Sequence, residues 1–201
     1  MPPQKTHPER QVPAVTETAQ GLPRITIQVG GLRASREPVV LDTVLGSCIA
    51  VCLYDPVIAA GGMNHFMLPE GTSSENPTSA RYGVYAMELL INELMKEGGD
   101  RRRFQAKVFG GGHVLRVQER LDSVPQQNIE FIRSFLITER IPVIKEDVGG
   151  CYPRRVVFYS HTGQAFRKRL GMVEAERTAE QERAYRARLG KQKLDGDATL
   201  F

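Results

Sequence analysis

The chain has 201 residues, which suits one domain with terminal extensions, and 41% of them are hydrophobic, enough for a buried core. Its 27 Lys and Arg against 23 Asp and Glu leave a net charge of +4 that is spread along the chain. Such a balance fits an acidic protein partner and does not argue for nucleic acid, so no nucleic-acid partner is expected. No stretch approaches the ~18 consecutive apolar residues of a membrane span, and the N-terminus lacks the apolar core of a secretory signal. We therefore expect a cytoplasmic protein without membrane insertion, whose three cysteines are free thiols.

The first half of the chain predicts a strand-rich unit. Residues 1–22 hold four prolines among polar side chains and predict a flexible N-terminal tail. Strands are predicted from Ile25, over residues 39–46 and over residues 49–55, and the last of these turns at Pro56 into a hairpin with residues 59–69. A polar loop over residues 70–79 then leads into an amphipathic helix over residues 82–97, with an apolar stripe of Val84, Met87, Ile91, Leu94 and Met95.

The second half alternates strands and a helix. Residues 107–111 predict a buried strand that ends in a glycine turn, and Asn128 is expected to cap a helix with Ile132, Phe135 and Leu136 on its apolar face. Further strands are predicted over residues 142–150 and 154–160, followed by a turn at residues 161–163. This order predicts one α/β domain over residues 23–171, with helices covering mixed sheet. The charged extension over residues 172–201 is predicted to be helical or disordered.

The hairpin brings a thiol and an imidazole together. A loop centred on Pro56 and Val57 pairs residues whose numbers add to 113, and Cys48 and His65 satisfy that condition. Directly opposed residues on one face have Cβ atoms roughly 4.5–5.5 Å apart. A slip of one residue would move the two side chains to opposite faces.

Such a pair supports nucleophilic chemistry. An imidazole can activate a cysteine for attack on an acyl carbon, then protonate the leaving group and activate water. The small residues Gly46 and Ser47 leave backbone N–H groups near the sulfur to hold an oxyanion. The structural alternative is that Cys48 is a small buried residue in a tight turn and His65 an ordinary strand histidine.

A family resemblance favours the catalytic interpretation. LGSCIAVCLYDP followed by GGMNHFMLP resembles the signature of the CheD family of chemoreceptor glutamine deamidases. KVFGGG, NIEFIRSFL, IPVIKEDVGG and RRVVFYSHTG resemble later blocks of that family in the same order, so the likeness covers about residues 25–170. The resemblance implies an α+β domain in which mixed β-sheets form a sandwich flanked by helices.

The same resemblance implies the site residues. Cys48 corresponds to the nucleophile and His65 to the acid/base residue. The family's third member is a threonine upstream of the cysteine, and an ungapped count places Asp42 at that position with Thr43 beside it. Either side chain could orient the imidazole, as the third group of a triad does. We also expect Asn64, Gly110 and Gly111 to line the substrate cleft.

The implied reaction converts a receptor glutamine to glutamate through a cysteine thioester, without a cofactor or a metal. The implied partners are the cytoplasmic helices of methyl-accepting chemotaxis proteins and, in some bacteria, a response-regulator phosphatase. One alternative is a module that binds receptor or phosphatase without turnover, and another is a different thiol hydrolase or a transglutaminase. A zinc site built from Cys48, Cys52, His65 and Cys151 matches no standard ligand spacing. Cys52 is expected in the core.

Overall fold

The computed structural model describes residues 15–17, 21–68, 77–114 and 123–192. Its strands are β1 Val15–Glu17, β2 Pro23–Thr26, β3 Leu32–Ser35, β4 Val40–Leu45, β5 Ile49–Asp55, β6 Ala60–Phe66, β7 Gln105–Gly110, β8 Val143–Val148, β9 Arg154–Tyr159 and β10 Ala165–Arg169. The helices are α1 Pro77–Lys96, α2 Val124–Thr138 and α3 Met172–Gln192, with a short 3-10 helix at Arg101–Arg103. Within these described segments, no helix has the length and apolar character needed to cross a membrane.

The strands form two five-stranded mixed sheets. The first has the order β1-β2-β4-β9-β10, and the second has the order β3-β6-β5-β7-β8. The pairs β2–β4 and β7–β8 are parallel, whereas the hairpin pairs β5–β6 and β9–β10 are antiparallel. The predicted α/β class with mixed sheets and flanking helices is therefore confirmed.

One hydrophobic cluster contains residues of both sheets. It joins Leu41 and Leu45 of β4 and Phe158 of β9 in the first sheet to Ala50 and Cys52 of β5 in the second. Side chains two residues apart in a strand share a face, so the alternation along β5 sends this set towards the first sheet. The predicted core position of Cys52 is confirmed, since its side chain is 1% exposed.

The other face of the second sheet is covered by helices. Ile49, Val51 and Leu53 of β5 pack in a second cluster with residues of both helices: Met87, Leu90, Ile91 and Leu94 of α1, and Ile132, Phe135 and Leu136 of α2. The apolar face predicted for the second helix is confirmed. The predicted stripe of α1 is right at its centre and wrong at its ends, because Val84 and Met95 are exposed.

Several element boundaries differ from the prediction. Helix α1 begins at Pro77 instead of residue 82, and Asn128 lies inside α2, which begins after Ser123, instead of capping it. Strand β3 was not predicted. Strand β1 lies within the predicted N-terminal tail, most of which is outside the described residues, as are most of the predicted polar loop and residues 193–201.

The predicted register of the β5–β6 hairpin is wrong: the residue opposite His65 differs from the predicted one by two positions. His65 lies opposite Ala50, so paired residue numbers add to 115. Asp55 remains paired, with Ala60, and its buried carboxylate accepts hydrogen bonds from the Val57 N–H and the Arg103 guanidinium. These contacts hold the turn after Asp55 instead of at it. Because the change moves the partner of His65 by two positions, His65 and Cys48 keep the same face and become diagonal neighbours.

Candidate active site

The turn between β4 and β5 is held from one side by hydrogen bonds to its carbonyl groups. The Gly112 N–H donates to the Gly46 carbonyl at 2.6 Å, and the Gly111 N–H donates to the Cys48 carbonyl at 2.7 Å. The Asn128 side-chain amide donates to the Ser47 carbonyl at 2.9 Å. In a planar trans peptide the C=O and the following N–H point in opposite directions. Fixing these carbonyls therefore turns the Ser47 and Cys48 N–H groups to the other side.

The glycines after β7 support this turn. Gly110 has φ +116°, and a Cβ built there would lie 2.0 Å from the Cys48 carbonyl oxygen. Glycine is required because both the backbone conformation and the close approach exclude a side chain. Gly110 and Gly111 were expected to line the substrate cleft; in the structure they pack beneath the Cys48 turn, next to the site.

Thr43 and His65 form a hydrogen-bonded pair across the space between the sheets. The Thr43 hydroxyl donates its one proton to the Ile27 carbonyl at 2.7 Å, and its oxygen lies 2.8 Å from His65 Nδ1. The oxygen therefore accepts from His65 Nδ1–H. This tautomer leaves Nε2 unprotonated, and Nε2 has no hydrogen-bond partner among the described residues. Burial lowers the pKa of His65 below its ordinary value, although the nearby Glu182 carboxylate and the Ile27 carbonyl act in the opposite direction.

Asp42, the other candidate for the third position, lies on the opposite face of β4. Its carboxylate accepts from the Thr26 hydroxyl at 2.8 Å and pairs with the Arg155 guanidinium. Successive strand residues face opposite ways, so only one of the two neighbours can reach the imidazole. The structure brings Thr43 to His65 and directs Asp42 away.

Asn64 also lies away from the site, contrary to the expectation that it lines the cleft. Its side-chain oxygen accepts from the Val51 N–H at 3.1 Å, and its amide donates to the Ala86 carbonyl of α1 at 3.1 Å. The side chain of Asn64 faces the helices, whereas that of the next residue, His65, faces the other sheet.

Cys48, His65 and Glu182 meet at the centre of the site. Their ligand atoms all lie within 4.8 Å of one another. Cys48 is 0% exposed, His65 is 5% exposed and Glu182, from helix α3, is 5% exposed. The sulfur and the imidazole are therefore together, as predicted, beneath a carboxylate from the C-terminal extension.

The Glu182 carboxylate occupies the position where the sequence predicted an oxyanion. One oxygen accepts from the N–H groups of Gly46 at 3.0 Å and Cys48 at 3.1 Å. The other accepts from the Ser47 N–H at 2.9 Å and the Ser47 hydroxyl at 2.6 Å. Burial opposes ionisation of Glu182, but hydrogen bonds from Cys48 and Ser47 outweigh it and lower the pKa of the carboxyl group. Converging N–H groups beside a thiol suit a developing negative charge on an acyl oxygen.

Among the described residues, Cys48, His65 and Glu182 are the group that could offer three ligands to a metal ion. A carboxylate has about four lone-pair sites. Glu182 already accepts four hydrogen bonds, from Gly46, Cys48 and, twice, Ser47. The arrangement therefore fits an anion in a set of amides better than a metal ligand. Cys52 and Cys151, the other members of the zinc set considered from sequence, are free thiols outside this group.

Comparison with known proteins identifies the family. Residues 67–169 match the family model described as CheD chemotactic sensory transduction. The chain is 44% identical over 185 residues to a Saccharophagus degradans protein named probable chemoreceptor glutamine deamidase CheD, which covers 88% of this chain and 84% of that protein. The chain belongs to the CheD family.

Other comparisons are consistent or too distant to add to this. A CheD protein of Stenotrophomonas maltophilia, also named probable chemoreceptor glutamine deamidase, is 48% identical over 161 residues, 80% of each chain. Among solved structures, the hypothetical protein YfiH of Bacillus licheniformis is 17% identical with a TM-score of 0.39, covering 60% of this chain and 51% of that one.

Three residues around the site of this CheD-family chain were not predicted from the sequence to belong to it. Glu182 lies in a segment rich in acidic and basic residues, and no local motif distinguishes it from the other glutamates there. Asn128 was interpreted as a helix cap, although its two hydrogen bonds, to Ser47 and to the Leu68 N–H, hold the turn and the end of the hairpin. Tyr82 of α1 has its pKa raised by burial and by electrostatic interaction with Cys48, and its hydroxyl contacts that of Tyr185 of α3.

Proposed function

We propose that this CheD-family chain is a cysteine hydrolase that deamidates glutamine side chains of chemoreceptors. The observation that carries the proposal is the buried Thr43–His65 pair beside Cys48, with three backbone N–H groups converging in front of the sulfur. The names of the curated relatives supply the substrate class, since they are called probable chemoreceptor glutamine deamidases.

The first half of the reaction forms a thioester. His65 is neutral near pH 7 because burial lowers its pKa, so Nε2 can accept the Cys48 thiol proton. The thiolate attacks the carboxamide carbon, and the oxygen becomes negatively charged in the position now held by a Glu182 oxygen. The Gly46, Ser47 and Cys48 N–H groups stabilise that charge. His65 then returns the proton to the nitrogen, and ammonia leaves as the C–N bond breaks.

The second half releases glutamate. Neutral His65 accepts a proton from water, and the resulting hydroxide attacks the thioester carbon. The C–S bond breaks, and His65 returns that proton to the departing Cys48 thiolate, which restores the thiol. Throughout both halves the Thr43 oxygen holds Nδ1–H, so that Nε2 keeps facing the reacting atoms. The receptor side chain exchanges a neutral carboxamide for a carboxylate.

The family also suggests the setting that we propose. The substrates are glutamines on the cytoplasmic helices of methyl-accepting chemotaxis proteins, which places this chain in the cytoplasm. A response-regulator phosphatase of the chemotaxis system is proposed as a second partner.

Purified receptor fragments test the proposal directly. The unmodified chain should raise the mass of the fragment by about one dalton per converted glutamine, since NH2 is replaced by OH through the thioester route. Cys48→Ala should abolish the shift. Cys52→Ala is the matched control, because Cys52 is a buried thiol on the same strand face whose pKa is raised by burial. Unchanged activity in Cys48→Ala, or equal loss in both variants, would contradict the assigned nucleophile.

One observation favours the alternative of a binding module without turnover. Cys48 is fully buried with helix α3 over it, so substrate cannot reach the sulfur in this conformation. The two functions separate in a pull-down paired with mass spectrometry. A receptor fragment that is bound but never gains mass would favour the module.

A further inference from the structure

Helix α3 presents one narrow buried face to the site. Thr178, Ala179 and Glu182 are buried, at spacings of three and four residues that place them on one side of a helix. The neighbours Glu180, Gln181 and Arg183 are exposed. A glutamate is buried in this helix, therefore, while the charged residues around it remain in water.

The buried Glu182 side chain is bound through its carboxylate. Four hydrogen bonds to its oxygens come from backbone and side-chain groups of the Gly46–Cys48 turn, which is 134 to 136 residues away in sequence. A carboxylate on a glutamate side chain is also the group that deamidation of a glutamine leaves behind. The atoms of Glu182 thus stand in for the product side chain, on a helix, in contact with the proposed nucleophile.

Few of the described α3 side chains besides Glu182 are shielded from solvent. Thr178 and Ala179 are buried, and Tyr185 is half-buried and contacts Tyr82 of α1. The ring of Tyr185 lies over Gly30, where a Cβ would come within 2.6 Å of its hydroxyl oxygen. Among the α3 side chains that the structure describes, one carboxylate, one tyrosine and two small residues are buried or half-buried, and they bury less apolar surface than the faces of α1 and α2. Separation of these groups from the site should therefore be less costly than release of α1 or α2.

We infer that α3 is an intramolecular product analogue, which closes the active site with Glu182 and must leave before a receptor glutamine can enter. The description of Glu182 as a product analogue rests on the proposed deamidase function. The closure of the site by α3 does not depend on that function. This closure gives the C-terminal extension a regulatory role: the extension and the receptor helix compete for the same three N–H groups.

The inference has a chemical consequence for one substitution. In Glu182→Gln the extension would present a carboxamide to Cys48 and become a substrate in cis. Cys48 Sγ would bond to the side-chain carbon of residue 182, ammonia would leave with the proton that His65 took from the thiol, and water would then cleave the thioester. The sum is glutamine plus water giving glutamate plus ammonia, which restores the natural residue.

Intact-protein and peptide mass spectrometry of the full-length Glu182→Gln variant tests this consequence. We expect the peptide that contains residue 182 to gain about one dalton with first-order kinetics that do not depend on protein concentration, as an intramolecular reaction requires. The double variant Cys48→Ala/Glu182→Gln should keep its glutamine. Conversion that is equally fast in the double variant would overturn the inference, because it would mean spontaneous deamidation.

Alkylation of Cys48 by iodoacetamide tests closure without relying on catalysis. Glu182→Ala should react faster than the unmodified chain, and Glu180→Ala, an exposed neighbour on α3, should not. If α3 is docked in more than about nine tenths of the molecules, opening predicts a gain of about tenfold or more. Ala179→Arg places a large charged side chain on the buried face of α3 and should give the same gain. Because this variant keeps the Glu182 carboxylate, an equal gain would show that release of the helix, and not merely loss of the carboxylate beside the Gly46–Cys48 N–H groups, exposes Cys48.

The two proposals fail in different ways. Unchanged Cys48 alkylation in Glu182→Ala and Ala179→Arg, together with an unconverted Gln in Glu182→Gln, would overturn the closure while receptor deamidation by the unmodified chain could still be measured. Faster alkylation without any deamidation, in cis or of receptors, would support the closure and overturn the deamidase. Faster alkylation with faster receptor deamidation would support both.

Discussion

Replacement of Thr43 by valine isolates the hydrogen bond that orients His65. Valine keeps the β-branched shape that suits strand β4 and removes the oxygen that lies 2.8 Å from Nδ1. In the variant, His65 Nδ1 keeps only its 3.4 Å contact with the Ile27 carbonyl. Both groups are in the buried site, where a polar group that loses its partner costs about 1–3 kcal/mol.

The expected loss of activity can be calculated if the same cost raises the free energy of the transition state. A loss of about 1–3 kcal/mol corresponds to a decrease of about 5- to 150-fold in kcat/KM. Because the imidazolium needs its acceptor more than the neutral ring does, removal of the Thr43 oxygen should also lower the pKa that governs the acidic limb of the kcat/KM profile. A purely structural role for Thr43 would leave that pKa unchanged.

The assay is deamidation of a receptor fragment followed by mass over a pH series, with two matched controls. Thr43→Ser keeps the hydroxyl and should stay close to the unmodified chain. Asp42→Asn should hold kcat/KM within about twofold, since Asp42 contacts Thr26 and Arg155 on the other face of the strand. Normal kcat/KM in Thr43→Val together with a large loss in Asp42→Asn would exclude Thr43 as the residue that orients His65 and would favour Asp42 as the third residue.

Three further predictions concern the support of the site and its response to pH. Asn128→Leu should lower both the free energy of unfolding and kcat, because it leaves the Ser47 carbonyl and the Leu68 N–H without a partner, at a cost of about 1–3 kcal/mol each. Urea unfolding would measure the loss of stability and steady-state kinetics the loss of kcat. Full activity would contradict the role of Asn128. Gly110→Ala should prevent stable folding or abolish activity, because a Cβ would lie 2.0 Å from the Cys48 carbonyl oxygen; a soluble, fully active variant would be inconsistent with the described turn. The lowered pKa of His65 means that the unfolded chain binds its proton first as pH falls below 6.5, so stability should decrease from there towards about pH 4. Compared with His65→Gln, the unmodified chain should lose about 1.4 kcal/mol more per pH unit in that window, and parallel stability curves would exclude the shift.

Local pattern was sufficient to predict much of the fold. Strand β5 appears in the structure as Ile49–Asp55, the limits that its apolar run and the following Pro56 suggested. The period of two along it correctly placed Cys52 in the core on the face of Cys48. Apolar positions of α2 were likewise correct, because helical periodicity depends on neighbours within a few residues.

The hairpin register needed more than local pattern. Proline predicts a turn, but the pairing of Asp55 with Ala60 is held by contacts of Asp55 with Arg103, far along the chain. The predicted proximity of Cys48 and His65 survived the error because a change of two positions preserves the strand face. The choice between Asp42 and Thr43 was open for a related reason: both are strand residues, and the face of each depends on how β4 pairs and packs.

The reactive groups could be recognised from the sequence alone: a thiol, an imidazole and small residues around them, on one hairpin and within a family pattern. The residues that contact those groups could be identified only from the packed structure. Thr43 contacts His65 across the space between two sheets, and Asn128 of α2 holds the Ser47 carbonyl. Glu182 of the charged C-terminal extension accepts a hydrogen bond from the Ser47 hydroxyl. Those contacts join residues distant in the chain, and their geometry is set by packing, which no periodicity along the chain records.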